Sequence, residues 1–185
     1  MNLLQAYNLL NMINEDGADY QKEYKKYIEN HKNNLKQFAD WLEENLPELF
    51  DNIDLDDFHE IIEEHDESKF SEEEFEPYAK KWHGEGKNNK DYYDPAYEEA
   101  WEHHWLTNEH HPEHWLGEDM PYIYILEMLC DWGSFSIAKK DFQELIDYYY
   151  NEAKDDEEKN LSDNTKAIIE EILDKIKSVI EEGDK

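Results

Sequence analysis

The chain has 185 residues, enough for a full hydrophobic core, and sets 49 acidic side chains against 18 cations for a net charge of −31. Every cation is lysine; a surface this negative, with no arginine to grip phosphate bidentately, argues against a partner made of duplex nucleic acid or anionic membrane. Aromatic residues at 14% argue equally against a disordered chain.

The N-terminal stretch reads as a short helix over residues 2–14, ended by Gly17, with neither the basic start nor the cleavage site of a secretory signal. A second helix follows from Tyr20, Tyr24, Tyr27, His31, Leu35, Phe38 and Leu42, whose spacings of 3 and 4 trace one helical face up to Pro47. A third starts near Asp54–Asp57, with Leu55, Phe58, Ile62 and His65 on its inner face. Ser71 and Glu74 form a capping-box pattern that restarts a helix, and residues 83–95 read as a polar loop. Helical spacing resumes after Pro95 with Tyr97, Trp101, His104 and Asn108, and Pro112 breaks it. Pro121 opens an apolar helix holding Cys130, the only cysteine and an expected buried thiol. SIAKKDFQELIDYYYNEA reads as one amphipathic helix, and the last helix covers about Asp163–Glu182 with Ile168, Ile172, Ile176 and Val179 as its stripe.

The expected organisation is all-α: an N-terminal segment over 1–19, one helical domain over 20–153, and a charged linker with an added amphipathic helix over 154–185. No apolar run reaches membrane-spanning length, and a reducing, cytoplasmic setting is expected.

Chemistry concentrates in two places. Residues 101–115, WEHHWLTNEHHPEHW, hold five of the nine histidines. In addition, His31, His65 and His104 fall on apolar faces of three separate helices, and Asp131 sits deep in YIYILEMLCDWGSF. A lone histidine on such a face is usually a satisfied core residue, but three of them beside carboxylates point to a metal. A buried carboxylate needs a cation, and without arginine a metal or a lysine must supply it. Glu127, one turn before Asp131, is a second ligand or a partner that orients a ligating histidine. His111 shares the phase of His104, whereas the break at Pro112 would allow His110 to turn inward instead; His103 and His110 share an adjacent face. His114 and Trp115 are expected in the wall of the site, and His59 and His83 in solvent without a chemical role.

The order His31, His65-Asp66, Asp131 resembles the HD-domain superfamily of metal-dependent phosphohydrolases. The resemblance implies an all-helical HD-like domain with a metal held by His31, His65, Asp66 and Asp131. It extends to His65-Asp66-Glu67-Ser68-Lys69, similar to the motif version whose lysine meets substrate phosphate, and gives Asp66 and Lys69 the catalytic roles. His110-His111-Pro112-Glu113 resembles the paired histidines that add ligands in multi-metal branches, with Glu113 as a supporting carboxylate. HDESKFSEEEFEPY, AWEHHWLTNEHHPEHW and MPYIYILEMLCDW also resemble a family of small uncharacterised proteins common in phages and Firmicutes, over roughly residues 28–135. The Gly-Tyr-Pro signature of cyclic-dinucleotide phosphodiesterases is missing, so that substrate does not carry over.

The expected function is therefore hydrolysis of a small phosphoester or nucleotide by water activated on one or two divalent ions, with Mn, Fe, Co, Ni or Zn all suited to mixed imidazole and carboxylate ligands. The alternatives are a diiron oxygenase, using His31, His65, Asp66, His104, His111 and Asp131, and an acidic binding protein that mimics nucleic acid. The acidic surface leaves room for a protein partner or a homo-oligomer.

Overall fold

The computed structural model describes residues 3–137, 139 and 141–183. Among them there are seven α-helices and no strand, as the helical periodicity requires: α1 Leu3–Asn45, α2 Leu55–Glu64, α3 Phe75–Trp82, α4 Pro95–Thr107, α5 Tyr122–Ile137, α6 Gln143–Tyr148 and α7 Asp163–Gly183. Among the described residues no helix is long and apolar enough to cross a membrane.

Packing gathers the chain into two compact units. The first comprises residues 1–30 and 66–104, the second 31–65 and 105–185. In the first, Tyr24 and Ile28 of α1, Tyr78 and Ala79 of α3 and Ala100 of α4 form a small core faced by Tyr20, Phe75, Tyr97 and Trp101. In the second, Leu35, Phe38 and Leu42 of α1 pack with Phe58 of α2, with Ile125, Met128 and Leu129 of α5, and with Ile169, Ile172, Leu173 and Ile176 of α7. Each such side chain, fully buried, contributes about 1.5–3 kcal/mol.

Several boundaries differ from the sequence expectation. Gly17 lies inside α1 and does not end it. A lone glycine costs about 1 kcal/mol in a helix interior but stops a helix only when its left-handed conformation closes a cap. Ile28 is buried in place of Tyr27, which is 43% exposed, because the step from Tyr24 is four residues rather than three. Leu55 is exposed, since it opens the first turn of α2, where Asp54 caps by accepting from the Asp56 amide. The amphipathic segment from Ser136 to Ala153 is not one helix: α5 runs on to Ile137, α6 begins at Gln143, and a π-helical turn covers Tyr149–Ala153. Residues 1–2, Ala138, Lys140 and 184–185, which fall within the expected N-terminal segment, middle helix and C-terminal segment, lie outside the described residues. The stripe of α7 is centred on Ile169, Ile172, Leu173 and Ile176, with Ile168 and Val179 at its margins.

Gly133 positions the later chemistry. A Cβ there would lie 2.6 Å from the Phe38 ring, so only glycine lets α5 approach α1 this closely. The approach brings Asp131 and Ser134 of α5 to His31 of α1 within the second unit.

Candidate metal centre

The chain leaves α2 through a sharp turn. His65 closes the helix, and Asp66 adopts the left-handed conformation, φ 61° and ψ 16°. Aspartate tolerates this region better than most residues, but it is still unfavourable, and such outliers gather at functional sites. Asp66 makes no side-chain cap to the 3-10 turn Glu67–Phe70 that follows; its carboxylate meets Lys69 and His104. Both His65 and Asp66 are buried.

In the second unit, His31, His65 and Asp131 come together. His31 Nε2 lies 3.0 Å and His65 Nε2 3.9 Å from Asp131 Oδ1, and one donor atom from each residue falls within 4.8 Å of the others. Two donors bound at about 2.1 Å to one ion stand roughly 3.0–4.2 Å apart, depending on the angle between them. The two measured separations fall in that range, so this donor set fits a divalent transition metal. Burial alone would raise the pKa of Asp131, but the His31 hydrogen bond and the nearby imidazoles of His31, His65 and His110 outweigh it and hold the carboxylate well below its usual range.

The opposite edges of these rings are anchored. His65 Nδ1 donates to Glu127 Oε1 at 2.8 Å, and His110 Nδ1 lies 3.1 Å from the same oxygen. A carboxylate only accepts, so the proton is on Nδ1 and Nε2 of His65 is turned toward Asp131. Glu127 thus orients His65 toward Asp131, and with His65 and His110 it also forms a second group whose donor atoms lie within 4.8 Å of one another. His31 Nδ1 lies 3.1 Å from Ser134 Oγ. A hydroxyl donates or accepts, so Ser134 can support His31 whichever nitrogen carries the proton.

The first unit holds a parallel arrangement. Asp66 Oδ2 accepts from Lys69 Nζ at 2.6 Å, and Asp66 Oδ1 lies 3.3 Å from His104 Nε2. His104 Nδ1 lies 2.8 Å from Glu74 Oε2, and His103 Nδ1 2.7 Å from Glu74 Oε1. Burial would lower the pKa of His104, but its bonds to Asp66 and Glu74 raise it on balance. Glu74 is lowered: burial opposes ionisation, and the bonds from His104, His103 and Ser68 more than offset it.

α4 ends at Thr107 and residues 108–111 turn before the 3-10 turn Pro112–Trp115, so helical phase does not run on from His104 to His111. His110 is the more buried of the neighbouring pair and reaches Glu127, whereas His111 Nδ1 stands 3.8 Å from Glu113 Oε2. Glu113 is held below its usual pKa: burial would raise it, and His111 with the local backbone prevails. His114 Nδ1 donates to the Trp105 carbonyl and Trp115 Nε1 to that of Glu109, so both brace the loop behind His110. His59 is exposed beside Glu43, as expected, but His83 is largely covered by the Tyr24 and Tyr27 rings and does not stand free in solvent. Cys130 is fully buried, and burial pushes its thiol pKa up.

Two residues escaped the sequence reading. Glu74 passed for a capping-box member, yet only the Ser71 half of the box forms. Its four-residue step to buried Tyr78 was the available signal. Ser134 carried none beyond following Asp131 by three residues.

A cleft of about 240 Å³ in the second unit opens beside His65, His110 and Glu127, with Asn108, Glu109 and Tyr124 on its walls. No curated protein and no solved structure matches the chain. A model described as a family of unknown function (DUF5662) matches residues 20–175, most of the chain, and the protein belongs to that family.

Proposed function

We propose that the protein is a metal-dependent hydrolase of small phosphoesters or nucleotides, related to the HD-domain phosphohydrolases. The observation that carries this reading is the anchored donor set: His31, His65 and Asp131 with donor atoms within 4.8 Å, and His65 turned by Glu127 so that Nε2 faces Asp131. His31, His65 and Asp131 would hold the ion, and Asp66 is assigned to it from the His-Asp motif. A divalent ion supplies Lewis acidity and lowers the pKa of a bound water toward neutrality.

The chain's own residues do the rest. Glu127 and Ser134 fix the imidazole rings, which limits reorganisation when charge develops. Lys69 is held close by the Asp66 carboxylate, and supplies a positive charge for a phosphoryl oxygen. The cleft carries Glu64, Glu109 and Glu127, a lining that repels anions until a cation offsets it, so phosphate binding is coupled to metal binding. A volume of about 240 Å³ suits a small substrate rather than a polymer.

The test is metal analysis of the purified protein, followed by a panel of nucleotides and phosphodiesters on Mn-loaded and Fe-loaded protein. Turnover with Mn, lost in Asp131→Ala, is expected. A metal-loaded wild type that cleaves none of the panel overturns the hydrolase reading; consumption of dioxygen by the Fe form would replace it with the oxygenase.

A further inference from the structure

Glu74 is a carboxylate with no solvent exposure, and the capping role suggested by its sequence position is not the one it fills. Its two oxygens are divided between consecutive histidines of α4: Oε1 with His103 at 2.7 Å and Oε2 with His104 at 2.8 Å. The two rings differ in surroundings. His103 is 37% exposed, and His104 is almost completely buried with Nε2 3.3 Å from Asp66 Oδ1. Within the other unit Glu127 also meets two imidazoles, those of His65 and His110, but through one oxygen, Oε1. The device of one buried glutamate accepting from two imidazole Nδ1 atoms therefore occurs once in each unit.

We propose that Glu74 is a positioning residue that fixes the ring of His104, holding a proton on Nδ1 so that Nε2 is presented with Asp66 Oδ1, inside the first unit, as a pair of donors for a divalent ion. The inference rests on the metal-dependent reading above. Three features support it. A fully buried carboxylate is costly to keep unless its lone pairs are used, and here both oxygens are. A carboxylate only accepts, so the 2.8 Å contact with Glu74 places a proton on Nδ1 of His104. The Nε2 to Oδ1 separation of 3.3 Å lies within the span that two donors on one ion adopt. His103, at the solvent side, occupies the second oxygen.

The test is Glu74→Gln, which keeps the shape but sets an amide N–H2 against one of the two imidazole N–H groups. Two readouts are taken: Mn affinity by calorimetry, and the downfield Nδ1–H proton of His104 by NMR on metal-free protein. Loss of that resonance and an affinity about 10–100-fold weaker are expected, as for other partners of ligating histidines. His103→Ala, which leaves the Glu74 to His104 bond in place, should retain the resonance and bind Mn nearly as wild type. Unchanged affinity and an unchanged resonance in Glu74→Gln overturn the proposal. If Glu74→Gln does not fold, Glu74→Asp, too short to reach both rings, takes its place with the same expectations. A wild type that takes up no Mn, Fe or Zn overturns the metal reading itself, and the NMR readout then still decides whether Glu74 sets the His104 ring.

Discussion

At the level of single residues, the candidate site is organised by groups that touch the imidazoles from behind. Glu127 accepts from both His65 and His110, so Glu127→Gln should disturb two rings at once. We expect Mn binding to weaken by about 10–100-fold, measured by calorimetry, with the helical circular dichroism preserved. Ser134→Ala should cost less, because a hydroxyl anchors His31 without fixing which nitrogen holds the proton. Lys69→Ala should separate binding from chemistry. It removes a charge and leaves the proposed ligands intact, so Mn occupancy should persist while kcat falls by roughly 10²-fold. Equal loss of metal and rate in that variant would make Lys69 a structural partner of Asp66 instead.

At the level of elements, two contacts decide how the helices meet. Gly133→Ala would place a methyl 2.6 Å from Phe38 on a ring that the core holds in place. Alanine is the better helix former by about 1 kcal/mol, but overpacking costs about 1–3 kcal/mol and should prevail. A lower denaturation midpoint and weaker metal binding are expected together, since the same approach brings Asp131 to His31. In the first unit, α1 and α3 are joined by Tyr20 and Gln21, which donate to Glu76. Burial would raise the pKa of Glu76, but these bonds and Lys80 lower it on balance. A carboxyl lowered by folding stabilises the native state above its unfolded pKa, and that contribution disappears as pH falls through the folded value. Tyr20→Phe should therefore flatten the acid side of the stability profile, below about pH 4.5, in urea titrations at stepped pH. An acid limb of unchanged slope would remove Glu76 from the account.

At the level of the whole molecule, a net charge of −31 makes self-repulsion a standing cost of compaction. Sodium chloride screens it, with a Debye length near 10 Å at 0.1 M, so the melting temperature should rise with salt at low ionic strength. Bound metal should raise it further by mass action, about 2.7 kcal/mol at a hundredfold excess over Kd. Thermal scans with chelator and with Mn at fixed ionic strength separate the two effects. A melting temperature indifferent to both chelator and metal would count against the centre.

Residue order was sufficient for what depends on neighbours along the chain. Most of the helical faces, the end of α1 just before Pro47, the start of α2 near Asp54 and the all-α class follow from spacing and local chemistry, which act over three or four residues. That Asp131 needs a cationic or metal partner was also legible from its apolar run, and the likeness to the HD order implied His31 beside it. Periodicity placed His104 inward, but tertiary structure alone decided that His110 is more buried than His111, since α4 ends at Thr107 and helical phase carries no information past that point. It likewise decided that Gly17 does not break α1, that Tyr27 faces out while Ile28 faces in, and that the Glu74 side chain turns to two imidazoles. A charged group settles where its lone pairs are best met, and those partners lie 29 and 30 residues away in the chain.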